Sequence, residues 1–190
     1  MMQPPAETIY ATTPHDTARF LLGTEGGNPL VCVGVNPSTA APGALDLTVT
    51  KVKQFAARNG FDSWVMLNLY PQRATDASEI HDDHNPELKA ENEQRIAEFI
   101  DGRRLTLLAA WGELIDTRPY LLPMLEGIVS VTSASGCDWV SIGDFLQSGH
   151  PRHPSRAGYK WPLQTFDMDE YLELLRARAE ARAKRAQRKP

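Results

Sequence analysis

Asn36, Asn68 and His153 are the residues whose types and positions point to chemistry in this chain. Asn36 follows Leu30–Val35, an apolar run without a charge, and the Asn36-Pro37 step forces an abrupt exit. Asn68 lies at the end of a second apolar run, Trp64–Leu69, with Tyr70-Pro71 just after it. His153 belongs to His150–Trp161, which carries Arg152, Arg156, Lys160, two histidines, two aromatics and no acid. A side-chain amide both donates and accepts hydrogen bonds, and an imidazole titrates near neutrality. Taken alone, Asn36-Pro37 reads as a turn, Asn68 as a turn residue and His153 as a loop hydrogen-bonder. Together they describe a pocket with two amide readers, one titratable group and an aromatic platform at Trp111-Gly112.

Those groups converge only if a scaffold brings them to one edge. Short apolar runs bounded by Gly and Pro read as strands buried on both faces, as in parallel sheets. Such strands are predicted at Leu30–Val35, Trp64–Leu69 and Leu105–Ala110, with a fourth at Ile128–Thr132. Helical spacing follows Asp46, closing near Asn59-Gly60, and recurs over Glu87–Ile100, from Glu113, and over Phe166–Gln187. Asp16–Leu22 reads as a short helix or an edge strand, Gln72–Pro86 and Gly149–Pro162 as loops, and Ser133–Ser148 as irregular. The order β-α-β-α-β-α-β-loop-α predicts an α/β fold: a three-layer α/β/α sandwich with a mainly parallel four-stranded central sheet. In such sheets ligands bind beyond the carboxyl ends of the strands, where Asn36, Asn68 and Trp111 fall. One α/β domain over residues 1–190 is expected, with 1–14 loosely ordered and 176–190 a basic helical tail.

Composition narrows the function classes. The 190 residues carry a net charge of −4, yet residues 176–190 hold seven cations against Glu180 alone, leaving a strongly acidic body. That distribution is not the footprint of a tight nucleic-acid binder, though it permits local basic contacts. Cys32 and Cys137 are too few for a disulfide framework, a tetrathiolate zinc site or a four-cysteine iron–sulfur cluster. No apolar run reaches membrane-spanning length, and the first residues lack a secretory pattern, so a cytoplasmic protein without a metal, metal cluster or cofactor is expected. His81-Asp82-Asp83-His84 reads as a solvated loop rather than a metal site, and no Walker or dinucleotide glycine pattern occurs.

The same motifs carry a resemblance. Gly34-Val35-Asn36-Pro37-Ser38 resembles the first motif of the uracil-DNA glycosylase superfamily, especially its mismatch-specific branch. Val65-Met66-Leu67-Asn68 resembles the strand whose terminal Asn reads an extruded base. Leu107–Gly112 is similar to the superfamily's Leu-Leu-Trp-Gly turn, and His153-Pro154-Ser155 with Gly158-Tyr159 to its second motif. The order is preserved over roughly residues 30–162. The chain also resembles a bacterial and phage family of uncharacterised domains marked by Asn-Pro-Ser-Thr-Ala, Arg-Ala-Thr-Asp, Ala-Trp-Gly and Pro-Arg-His-Pro.

The glycosylase resemblance implies a uracil-DNA glycosylase-like fold and an enzyme that flips a base from DNA and hydrolyses its N-glycosidic bond. Asn36 would hold the attacking water and His153 would stabilise the departing base. Asp46 either activates the water or, the reading its position favours, caps the following helix. Asn68 would read the base edge and Tyr70 would stack on it. Arg152, Ser155, Arg156 and Lys160 would hold phosphates, while Arg73 either pairs with Asp76 or joins them. Ser38 stands where the uracil-specific branch carries a bulky tyrosine that excludes C5 substituents. A smaller wall implies a C5-modified pyrimidine, such as a hypermodified phage cytosine, as substrate alongside uracil, and a role in antiviral defence. Hydrolysis or transfer on free nucleosides or nucleotides, and nucleic-acid binding without catalysis, are the competing readings.

Overall fold

The computed structural model describes residues 7–188. Seven strands form one mixed sheet: Thr8–Thr12 (β1), Arg19–Thr24 (β2), Pro29–Gly34 (β3), Ser63–Asn68 (β4), Thr106–Ala109 (β5), Asp138–Ile142 (β6) and Leu163–Thr165 (β7). Their spatial order is β1-β2-β4-β3-β5-β6-β7. The central β4, β3, β5 and β6 run parallel, while β1 and β2 on one side and β7 on the other add antiparallel strands. The sheet is therefore wider than the four strands expected, and its flanks are antiparallel.

The structure departs from the sequence reading at four stretches. Ile128–Thr132, expected as the fourth strand, lies in the helix Leu121–Ala134 (α3), whose buried Leu121, Met124, Leu125, Ile128, Val129 and Thr132 follow helical spacing despite their β-branched members. The fourth parallel strand is instead β6, inside the segment expected to be irregular. Thr8–Thr12 pairs along β2 although residues 1–14 were expected to be loose; residues 1–6 of that expectation lie outside those described. Asp16–Leu22 contributes to β2, which is an interior strand rather than a helix or an edge.

Helices Leu47–Arg58 (α1), Pro86–Ile100 (α2), α3 and Met168–Gln187 (α4) cover the two faces of the sheet. Alternation along the strands decides which side chains go where. Leu30, Cys32, Trp64, Met66, Leu108 and Ala110 pack with Val49, Val52, Phe55 and Ala56 of α1. Val31, Val33, Val65, Leu67, Leu107, Ala109 and Trp111 face the other way, toward α2, α3 and α4. Because β3 leads through α1 to β4 on one side and has β5 on the other, the strand order switches at its carboxyl end, beside Asn36.

The basic end of the last helix is exposed apart from the half-buried Arg178, yet it touches the body of the chain at three places. Arg176 pairs with Glu126, Arg182 with Asp116, and Arg178 bonds His150 at 3.0 Å. Residues 189–190 of the expected tail fall outside those described. Among the described residues no helix is long and apolar enough to cross a membrane, and no group of three or more His, Cys, Asp and Glu is placed to hold a metal ion.

Candidate functional site

A crevice of about 320 Å³ opens over the carboxyl ends of β3 and β4, on the α1 face of the sheet. Its walls include Gly34 at the end of β3, Asn36 and Ser38 just after it, Asn68 from β4, Asp46 and Thr48 at the start of α1, and His153 from the late loop. Stretches distant in sequence thus meet around one space, within the size range of small-ligand sites. A larger hollow, about 600 Å³, lies at the opposite end of the parallel strands around Pro29, Asp101 and Arg103. It holds neither amide nor imidazole.

Register sets the first two amides. Gly34 pairs with Asn68 across the parallel ladder, and a methyl group on Gly34 would lie 3.2 Å from Asn68 Oδ1. Glycine there makes room for the amide. Asn68 is buried, and its Nδ2 has no hydrogen-bond partner among the described residues. A buried, unpaired donor is costly to leave, so this one is available to a ligand. Asn36 is fixed differently: its Nδ2 donates to Ala74 O at 2.9 Å and Pro37 O at 3.1 Å. With both amide protons committed to carbonyls, Asn36 presents its oxygen as an acceptor.

The His-Pro-Ser turn fixes the imidazole. His153 caps the short 3-10 turn Pro154–Arg156, and Nδ1 lies 2.7 Å from Ser155 Oγ and accepts from the Ser155 N–H at 3.4 Å. Acceptance at Nδ1 leaves the proton of a neutral ring on Nε2. Burial, aided by the Arg156 and Lys51 charges and opposed by Asp46, holds His153 below its ordinary value of 6.5. The ring is therefore neutral at pH 7, with an N–H donor at Nε2. Lys51, in the apolar stripe of α1, anchors this turn: its Nζ donates to Ser155 O at 2.9 Å and Ala157 O at 2.7 Å. Asp46 caps α1 through Oδ1, which accepts from the Val49 N–H at 2.8 Å, and its carboxylate also lines the crevice.

Other expected site residues stand apart from this space. Tyr70 is fully buried on the opposite face of the sheet; its hydroxyl accepts from the Asn85 N–H at 2.9 Å and meets His81 Nδ1 at 2.7 Å. It cannot stack on a ligand in the crevice. Trp111 also faces away, with Nε1 donating to Tyr171 Oη at 2.8 Å, and is no platform for the site. Strand alternation causes this: Ala110 takes the crevice side, so Trp111 takes the other. Arg73 pairs with Asp16 at 3.0 Å rather than Asp76 and donates to Ser38 O, Ala40 O and Tyr10 Oη. Those bonds make it a clasp for the loop after β3 rather than a phosphate ligand.

Arg152, Ser155 and Arg156 border a second hollow of about 390 Å³ that shares Leu114 and His153 with the crevice. Arg156 is exposed, whereas Arg152 donates to Asp144 O at 2.7 Å and lies over the Trp161 ring. Lys160 is exposed nearby, beyond both walls. Sequence reasoning missed two residues here. Lys51 signals itself as a charge within the buried stripe Val49, Val52, Phe55 and Ala56. Arg19 lines the crevice while buried at 2% exposure, and its only sequence mark is a charge inside the apolar run of β2.

Residues 19–155 match a family model described as "Protein of unknown function (DUF1643)". The match begins with Arg19 and ends just after His153, so it encloses the whole lining of the crevice. No curated protein and no solved structure matches the chain.

Proposed function

The chain belongs to the DUF1643 family, and from its site chemistry we propose that it is a DNA glycosylase-like hydrolase that takes an extruded base into the crevice. The observation that carries this reading is the meeting of Asn36, Asn68 and His153 around one base-sized space, each with hydrogen-bonding capacity left for a ligand. The uracil-DNA glycosylase resemblance of the same motifs supports it.

Cleavage of an N-glycosidic bond leaves the bonding electron pair on the base, while a water oxygen bonds to C1′. The Asn36 oxygen orients the water by accepting one of its hydrogens. An amide cannot take the proton that the water must lose, and Asp46 is the carboxylate in the crevice wall that can. The Nε2–H of His153 and Nδ2 of Asn68 donate to the base as negative charge gathers on its oxygens. The rim around Arg152, Ser155, Arg156 and Lys160 meets the flanking phosphates.

Ser38 bears on the choice of base. With Ala74 and Thr75 it is shared between the crevice and a polar hollow of about 390 Å³ that reaches Thr39, Arg73 and Glu79. A substituent on C5 of a pyrimidine therefore has somewhere to go. A C5-modified pyrimidine, such as a hypermodified cytosine of phage DNA, is the expected substrate, with uracil the minimal one and antiviral defence the setting.

The test is base release, read by mass spectrometry, from modified phage DNA, uracil-containing DNA and unmodified DNA. Release from one of the first two substrates, abolished in Asn36→Ala and His153→Ala, is the expected result. Absence of release from all three overturns the reading. Release from free nucleosides but not from DNA replaces it with a nucleoside N-glycosidase.

A further inference from the structure

Arg19 opens β2 between Ala18 and Phe20, both buried, and its own side chain is buried with them. The backbone N–H of Arg19 donates to Pro71 O at 2.9 Å, which fixes the origin of the side chain beside the ends of β3 and β4. One guanidinium nitrogen, Nη1, donates to Ala40 O at 2.9 Å. Nε has no partner among the described residues, and Arg19 forms no ion pair with any of them.

The surroundings add to the cost of that charge. Arg73 Nη1 also donates to Ala40 O, so two guanidinium groups approach the same carbonyl. Burial, and then the Arg73 charge, pull Arg19 down to about 10 against the opposing pull of Asp46, Tyr10 and Asp16, which still leaves it cationic at pH 7. Asp46, in the same crevice wall, and Asp16 act on Arg19 only at a distance; a buried cation without a direct ion pair is costly, and a neutral side chain of similar volume would avoid that cost. Asn68 Nδ2, the other orphaned donor of the crevice, has the same need for an acceptor.

We propose that Arg19 is the receptor for negative charge in the crevice, which takes a planar, oxo-bearing heterocycle in its anionic form. This rests on the base-excision reading for its role in catalysis: the anion is the form in which a base leaves its sugar, so Arg19 stabilises the departing group. Guanidinium suits that role because its planar fork of donors lies in the plane of a ring edge. The crevice then discriminates by charge as well as by shape.

Binding of free rings tests the proposal without requiring turnover. Calorimetric titration of the full chain with barbiturate, a planar trioxo ring that is anionic at neutral pH, is compared with neutral uracil. The expected preference for the anion is at least about tenfold, the difference between a charge-assisted pair and a neutral hydrogen bond. In Arg19→Gln the preference disappears while the melting temperature stays level or rises, because a buried cation has been removed. Arg19→Met gives the same readout if the glutamine variant fails to fold. Equal binding of both rings by the native chain overturns the proposal, as does an anion preference that survives either substitution. Anion preference without base release from any DNA leaves Arg19 as a ligand-binding residue and removes only the glycosylase reading; base release without anion preference removes the role of Arg19 alone.

Discussion

Replacing Lys51 with methionine tests whether α1 positions the His153 turn. The substitution keeps an unbranched stem in the buried stripe but removes the ammonium that bridges Ser155 O and Ala157 O at 2.9 and 2.7 Å. Hydrogen bonds from charged groups contribute about 1.5–3 kcal/mol each, and a carbonyl left unpaired in the interior costs a similar amount. Ala157 is buried while Ser155 is partly open to water, which makes the first loss the larger. A total of about 3 kcal/mol follows, or roughly 6–12 °C in melting temperature for a chain of this size. The turn then no longer holds the imidazole against the crevice, and displacement of a catalytic group by about 1 Å costs on the order of a hundredfold in rate. Thermal unfolding followed by circular dichroism gives the first quantity, and single-turnover base release gives the second. A melting temperature within about 2 °C of the native value, with release unchanged, would refute the positioning argument.

Three further substitutions separate roles that share a residue or a region. Asp46→Asn retains the cap on α1, since asparagine caps as well as aspartate, so melting shifts by less than about 2 °C while base release falls about a hundredfold; equal activity in the two proteins removes Asp46 as the proton acceptor. Tyr70→Phe strands the Asn85 N–H at the start of α2 and costs about 1–2 kcal/mol in urea unfolding, with ring binding unchanged; weakened binding would return Tyr70 to the site. The imidazole of His153 is held below 6.5 in the folded chain, so as pH falls the unfolded state takes its proton first and stability declines below that value. His150, depressed chiefly by burial, adds to the same decline. Melting measured between pH 7 and 5 therefore falls less steeply in His153→Asn than in the native chain, and parallel curves would contradict the assignment.

The central architecture was legible because its signals are local. Leu30–Val35 and Trp64–Leu69 are charge-free apolar runs with proline exits, and Asp46 and Asn59 bracket a helix at both ends. Side-chain direction was harder to read. Tyr70 and Trp111 have the chemistry of stacking residues and follow closely on Asn68 and Ala110, yet alternation turns Trp111 away from Ala110, and Tyr70, beyond the end of β4 where alternation stops, packs with Leu69 on the opposite face. Ile128–Thr132 misled because β-branched residues favour strands, whereas their neighbours from Leu121 onward complete a helical stripe. Arg19 and Lys51 look like solvated charges until the tertiary fold closes over them, since burial of a charge is decided by elements distant in sequence.

The loop bearing His153 is moored at both ends to different layers of the molecule. Three residues upstream, His150 joins Tyr171 of α4 at 2.8 Å and Asp116 at 3.1 Å, and Tyr171 in turn receives the Trp111 indole N–H. Downstream, Lys51 of α1, on the opposite face of the sheet from α4, grips the carbonyls of Ser155 and Ala157. Any relative slip between the outer helical layers is thereby converted into movement of a single imidazole. Stiffness in the sandwich as a whole, rather than local rigidity of the loop, governs how accurately that ring is aimed.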